Sequence, residues 1–315
     1  MVAARASVRP RLPARTTSVR SLCARWLGAL AGIACAVALA ASQPAFAAEP
    51  ALPAVPATCK ALQAKYPQFA GKTLADALTP HTPGYEALDP NDPSQYIGFD
   101  VDLANELGAC LGFKLIYKPV AFAALLTTLQ SGQADIVISD IYATKERAKA
   151  ADFITYSKVF DGVLVLKGNP KHITGINTSL CGDAAAENTG FVEVPLVQNM
   201  APACKAAGKP APTLQLYDNN ADCIQALLAG RADTYINDVN TVDQAVKANP
   251  DKLAKAVAVT LPYSVGIAVR KNDPAFRDAI LAALISLQKA GVEETLLTKW
   301  SLGAGHQESP HLLTD

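Results

Sequence analysis

Ser131-Gly132-Gln133-Ala134-Asp135-Ile136-Val137-Ile138-Ser139-Asp140 is echoed 98 residues downstream by Ala229-Gly230-Arg231-Ala232-Asp233-Thr234-Tyr235-Ile236-Asn237-Asp238. Each copy follows an amphipathic helical pattern. Each then runs through Gly-x-Ala-Asp into a short strand that ends on a polar residue and an aspartate. The repeat length, about that of one small lobe, predicts two lobes of similar construction. In open α/β sheets ligands lie outside the carboxyl ends of strands. Two such lobes facing one another would put Asp140 and Asp238 on a shared cleft. The competing explanation is chance, because helix, glycine and strand follow one another in many α/β proteins.

Outward from these copies the chain alternates short apolar strands with helices of about ten residues, the pattern of an α/β fold. Leu103, Leu107 and Leu111 share one face of a helix predicted over Asp100–Cys110, with Gly112 as its stop. Phe113–Tyr117 reads as a strand, and Phe122, Leu125, Leu126 and Leu129 return to helical spacing. Ile136–Ile138 is a short buried strand, and Thr144 is placed to cap the helix that carries Glu146 and Arg147.

The first 25 residues hold six arginines and no acid, an uncharged run follows from Trp26 to Ala41, and Ala45-Phe46-Ala47 supplies small residues before Ala48. That order predicts a secretory signal cleaved near Ala47. An uncleaved anchor and lipidation at Cys35 are the alternatives. Without residues 1–47 the chain keeps 22 basic against 28 acidic residues, a net of −6, which gives no electrostatic footprint for nucleic acid. No later stretch is long and apolar enough to span a bilayer, so the mature chain is expected to be soluble. Five cysteines survive processing (Cys59, Cys110, Cys181, Cys204 and Cys223), an odd number in a compartment that permits disulfides. They form no C-x-x-C, no histidine lies near a pair, and no G-x-S-x-G occurs, so neither a metal site, a cofactor nor a serine hydrolase is indicated.

Taken in order, the motifs resemble solute-binding protein family 3, the periplasmic binding proteins of polar amino-acid ABC importers. Gly98-Phe99-Asp100-Val101-Asp102-Leu103 is similar to the family's G-F-D-x-D-L helix start. Leu129 to Asp135 followed by Thr144-Lys145-Glu146-Arg147 is similar to its L-x-x-G-x-x-D…T-x-x-R block. Gly230-Arg231-Ala232-Asp233 with Asp238, the strand Gly266–Lys271, and Lys299-Trp300 complete the series over about residues 73 to 302. The resemblance implies a two-lobed periplasmic-binding-protein fold, type II-like, with two hinge-crossing strands. Residues 48–72 would be a tail or short helix, 73–163 and 266–302 lobe 1, 164–265 lobe 2, and 303–315 a polar C-terminal tail, expected to be disordered with His306 and His311 in it. It also implies hinge closure over a small polar solute, an inner-membrane ABC permease as partner, a monomer, and a periplasmic location.

The same resemblance supplies site roles. Arg147 matches the arginine that forks onto the ligand α-carboxylate, and Asp238 the aspartate that accepts from the α-ammonium. Phe122 falls where a bulky residue covers the ligand, although it also fits the apolar stripe with Leu125 and Leu126. Tyr85 lies near the loop that holds an aromatic wall. Three positions depart from the family pattern. Asp140, after Ser139, stands where a small or hydroxyl residue is usual. It would either pair with Arg147 or favour a ligand with extra positive charge, since two carboxylates in a dry cleft repel. Tyr142 replaces a small hydroxyl residue, and the second-lobe turn reads Asn188-Thr189-Gly190-Phe191-Val192, leaving Gly190 as a backbone donor. Cys181 and Cys204 resemble a pair that is bonded in a subgroup of the family. Cys59–Cys110 is a second candidate pair, and Cys223 reads as a buried thiol.

Two other functions compete. Secreted dehydratases of the cyclohexadienyl dehydratase kind share the fold and would use a carboxylate of raised pKa, for which Asp140, Glu193 and Asp238 are candidates. An accessory binder for a periplasmic enzyme or sensor is the other, with the unusual 58–90 segment as a partner surface.

Overall fold

The echo in the sequence is an echo in hydrogen bonding. In a computed structural model, which describes residues 52–314, the Asp135 N–H donates to the Ala75 carbonyl at 2.8 Å and its carboxylate accepts from the Ala75 N–H at 2.9 Å. Asp233 does the same with Ala184, at 2.7 and 2.9 Å. Farther along each strand, buried Asp76 accepts from the Ile138 N–H and buried Glu187 from the Ile236 N–H. Gly132 and Gly230 take left-handed φ of 74° and 67° to turn helix into strand.

These locks build two half-sheets of one design. In the first, Thr73–Leu78 runs parallel to Lys114–Pro119 on one side and to Ile136–Val137 on the other. In the second, Ala184–Asn188 runs parallel to Thr213–Tyr217 and to Thr234–Asp238. Both echo strands are innermost. Ile136–Val137 bonds to the long strand Leu253–Val269, and Thr234–Asp238 to the long strand Asp152–Leu166. The two long strands pair antiparallel, and at about 3.3 Å per residue each is long enough to serve both halves. Their register shifts at three places, the widest in the middle, where Leu261-Pro262-Tyr263 stand between the pairs Thr260 with Phe160 and Ser264 with Lys158. The chain therefore has two lobes joined by two crossing strands.

Helices cover each half. Phe99–Leu111 buries Leu103, Leu107 and Leu111 against Pro274–Lys289, which contributes Ile280, Ala283, Leu284 and Leu287, so the chain returns to the first lobe after its second crossing. Gly112 ends the first of these helices with φ 83°. The helix Ala57–Lys65 is tied to it by the Cys59–Cys110 disulfide. In the second lobe Asn220–Leu228 and Val239–Ala248 bury Cys223, Leu227 and Val242 around Tyr235. Cys181 and Cys204 are bonded, and Cys223 is a buried free thiol.

The C-terminal segment corrects an expectation. Residues 303–314 are not a loose tail: Leu312–Leu313 pairs with Ile154 and Phe153, the Ser157 hydroxyl donates to the His306 carbonyl, and His306 is buried. Among the described residues no other strand lies beside the outer edge of Asp152–Ser157 in the first lobe, and an open edge of N–H and C=O groups recruits whatever chain can pair with it. His311 follows suit, with Nδ1 2.8 Å from the Thr155 hydroxyl.

The signal-peptide expectation for residues 1–47 lies outside the described residues. Among the described residues no helix is long and apolar enough to cross a membrane, and no three potential metal ligands cluster.

Candidate functional site

Arg147 is delivered to the cleft by its own cap. The Thr144 side chain accepts from the Arg147 N–H at 3.1 Å and starts the short helix Lys145–Ala148. From there the guanidinium donates to the Tyr142 carbonyl at 2.7 Å and across the cleft to the Gly190 carbonyl at 2.9 Å, while lying 5.2 Å from the Phe122 ring centroid. Burial lowers its pKa to about 10, opposed by Glu193 and Asp140, so it remains a cation at neutral pH. Phe122 meets Phe191 of the second lobe with centroids 4.2 Å apart, and His81 stacks on Phe191 at 6.2 Å. Further links cross the cleft: Asn220 donates to the His81 carbonyl and Gln244 to the Pro83 carbonyl. The lobes are closed on one another.

Between them is a nearly filled cavity of about 10 Å³ lined by Phe122, Asp140, Tyr142, Arg147, Phe191, Val192 and Glu193. Its electrostatics are one-sided. Asp140 Oδ1, Asp161 Oδ2, Asp238 Oδ2 and both oxygens of Glu193 are buried and accept from no donor. Burial pushes Asp140 well above the usual carboxylate range, and Asp238, Asp100, Asp161 and Glu193 add repulsion. Burial raises Glu193 to about 7, with Glu187 adding to it and Asp161 and Arg147 opposing. Asp161 is raised by burial and by Glu193, and accepts at Oδ1 from the Tyr142 hydroxyl at 3.1 Å. The Asp161 and Glu193 carboxyls adjoin, so a charge on one disfavours a charge on the other. Asp238 is raised to about 6 by burial, opposed by bonds from Asn240.

The candidate residues are thus distributed unevenly. Phe122, Asp140, Tyr142 and Arg147 line the cavity. Asp238 ends the strand Thr234–Asp238 and caps the next helix through Asn240, while its Oδ2 is buried without a partner. Tyr85 is fully buried with its ring edge against Phe99. Its unpartnered hydroxyl, rather than a ring face, lies in the field of Asp238 and Asp140. Ser139 is engaged inside the first lobe, accepting from the Thr79 N–H and donating to Glu86. Gly190 presents its carbonyl to Arg147 rather than a donor. Asp140 accepts nothing from Arg147, whose two terminal nitrogens go to carbonyls. Instead the Asp140 N–H donates to Asp100 at 2.6 Å, which holds Asp140 at φ 42°. Phe191 and Val192 appeared in the sequence only as parts of a turn, and Asp161 not at all. No local signal marked Asp161, because the same crossing strand also carries Asp152, Ser157 and Lys158.

Comparison with known proteins agrees with the two-lobed fold. The profile of the bacterial extracellular solute-binding proteins, family 3, matches residues 77–303. A probable histidine-binding protein of Neisseria gonorrhoeae is 29% identical over 251 residues, covering 75% of this chain and 86% of that protein. The solved structure of an ancestral arginine-binding protein bound to arginine superposes with a TM-score of 0.65 at 30% identity, covering 72% of this chain and 97% of that one. An ancestral amino acid-binding protein described as a precursor of cyclohexadienyl dehydratase superposes with a TM-score of 0.60 at 25% identity, covering 77% and 99%. With matching motifs, matching lobes and a profile that spans most of its length, the chain belongs to family 3 of the bacterial extracellular solute-binding proteins.

Proposed function

We propose that this protein closes on a small amino-acid-like solute in the periplasm and hands it, as a monomer, to an inner-membrane ABC permease. The observation that carries the reading is the closed cleft itself. A capped arginine from one lobe and an aspartate at a strand end of the other sit in one buried field, with aromatic rings from both lobes in contact beside them. In this reading Arg147 exchanges its cleft carbonyls for the α-carboxylate, a bidentate fit for a planar guanidinium, and Asp238 Oδ2 accepts from the α-ammonium. Histidine and arginine, which the relatives bind by name, are the first solutes to offer. The test is calorimetric titration of the purified protein with the twenty amino acids, then with the best of them on Arg147→Ala and Asp238→Ala. Micromolar binding that weakens at least 100-fold in each variant, about 2.7 kcal/mol, is expected. Unchanged affinity in either variant removes that residue from the site.

A second reading has one observation in its favour. Glu193, raised to about 7 in a cleft, is a carboxyl that can donate a proton near neutral pH, and one structural neighbour is a dehydratase precursor. Incubation with prephenate decides it, since turnover abolished by Glu193→Gln would make the protein an enzyme.

A further inference from the structure

The cleft holds more buried acid than one α-ammonium can use. Asp238 alone matches that group in the proposed reading, leaving four unpartnered oxygens on three other residues: Asp140 Oδ1, Asp161 Oδ2 and both of Glu193. Asp140 is 7% exposed and Glu193 1%, and both face the cavity from opposite lobes, with Asp161 adjoining Glu193. An unpaired buried carboxylate is costly, and a protein keeps one where something binds to it or a proton neutralises it. The local cation is not bonded to them: Arg147 donates to the Tyr142 and Gly190 carbonyls and to none of these oxygens. Nor is the placement slack. The Asp100 carboxylate fixes the Asp140 N–H in a left-handed backbone that few residues adopt, and the Tyr142 hydroxyl fixes Asp161. The Phe122 and Phe191 rings in the same cavity wall are surfaces that attract cations.

We propose that Asp140, Asp161 and Glu193 form a second cation subsite, and that the solute is therefore an amino acid with a positively charged side chain, a diamino or guanidino acid. The assignment rests on the reading above, in which Arg147 and Asp238 hold the α-groups. A neutral side chain would leave the three carboxyls unpartnered, and an anionic one would be repelled by them. A guanidinium or ammonium group would bridge Asp140 of one lobe to Glu193 of the other, so its charge would also help to hold the lobes shut.

The experiment compares near-isosteres by titration calorimetry on the unaltered protein. Arginine is set against citrulline, which has the same length without the charge, and against agmatine, which lacks the carboxylate; lysine is set against norleucine. Arginine or lysine binding at least 100-fold more tightly than its neutral counterpart supports the subsite, as expected where charge-assisted bonds replace neutral ones. That preference should shrink about ten-fold in Asp140→Asn and in Glu193→Gln. Citrulline matching arginine together with norleucine matching lysine overturns the subsite and leaves the amino-acid reading intact. Agmatine matching arginine, with citrulline weak, supports the subsite and overturns the role given to Arg147. No heat with any of the five overturns both.

Discussion

Gly190 is one place where the two lobes meet at the level of single atoms. It sits at φ 87°, and a Cβ built there would lie 3.1 Å from the Ala123 Cβ of the facing lobe. The first property disfavours any L side chain by about 1–2 kcal/mol, and the second is met only when the cleft is shut. Gly190→Ala should therefore lose about ten-fold in solute affinity, measured by calorimetry, while a Kd equal to that of the parent would show that closure does not bring these residues together. Legibility at this scale depended on whether a residue's chemistry was local. Thr144 and Arg147 are three positions apart and declare themselves as cap and capped cation. Asp161 could not be read, because an acid between Phe160 and Gly162 has the look of a solvent-facing position until the opposite lobe is seen to cover it. Glu193 stood out as a carboxyl, but its neighbours Asp161 and Arg147 come from distant segments.

At the scale of elements, the echo strands were legible because each needs the same acid for the same bond. Asp135 and Asp233 each satisfy a backbone N–H at the start of a neighbouring strand, and a short strand with an aspartate before it is a pattern that sequence preserves. The last strand was not legible. Gln307 to His311 is polar and contains Pro310, and nothing local announces that the edge at Phe153–Ile154 is open to receive the residues after it. Beyond pairing, the His306 ring sits 5.1 Å from Phe160, at the register break between the lobes. Truncation after Leu302 should expose that edge and lower Tm by about 5 °C, the scale of one to two kcal/mol in a chain of this size. A scanning calorimetry trace unchanged by the truncation would show that the segment is dispensable.

For the molecule as a whole, the acid-rich cleft sets a pH dependence of definite sign. Glu193 is faced by Glu187 from its own lobe, by Asp161 from a crossing strand, and by Arg147 and Asp140 from the other lobe, and is raised from 4.5 to about 7. Asp238 and Asp100 are raised from 3.8 to about 6. A carboxyl raised on folding holds a proton that the unfolded chain would release. Its contribution to stability is thus full below the unfolded value and is lost as pH climbs through the folded one. The protein without solute should melt at a lower temperature at pH 8 than at pH 5. A cationic solute does the reverse, because it binds the deprotonated carboxyls, so affinity should rise over the same interval and binding should release protons. Calorimetry in two buffers of different ionisation enthalpy measures that release, and proton uptake would mean that the bound solute is an anion.

The two disulfides have a consequence for motion. Cys59–Cys110 closes a span of 51 residues wholly before the first crossing strand, and Cys181–Cys204 a span of 23 wholly between the two crossings. Neither bond bridges the cleft. Each restricts the unfolded chain within its own lobe and adds no covalent restraint to lobe separation, so oxidation hardens two jaws while leaving the jaw joint as soft as the paired strands make it.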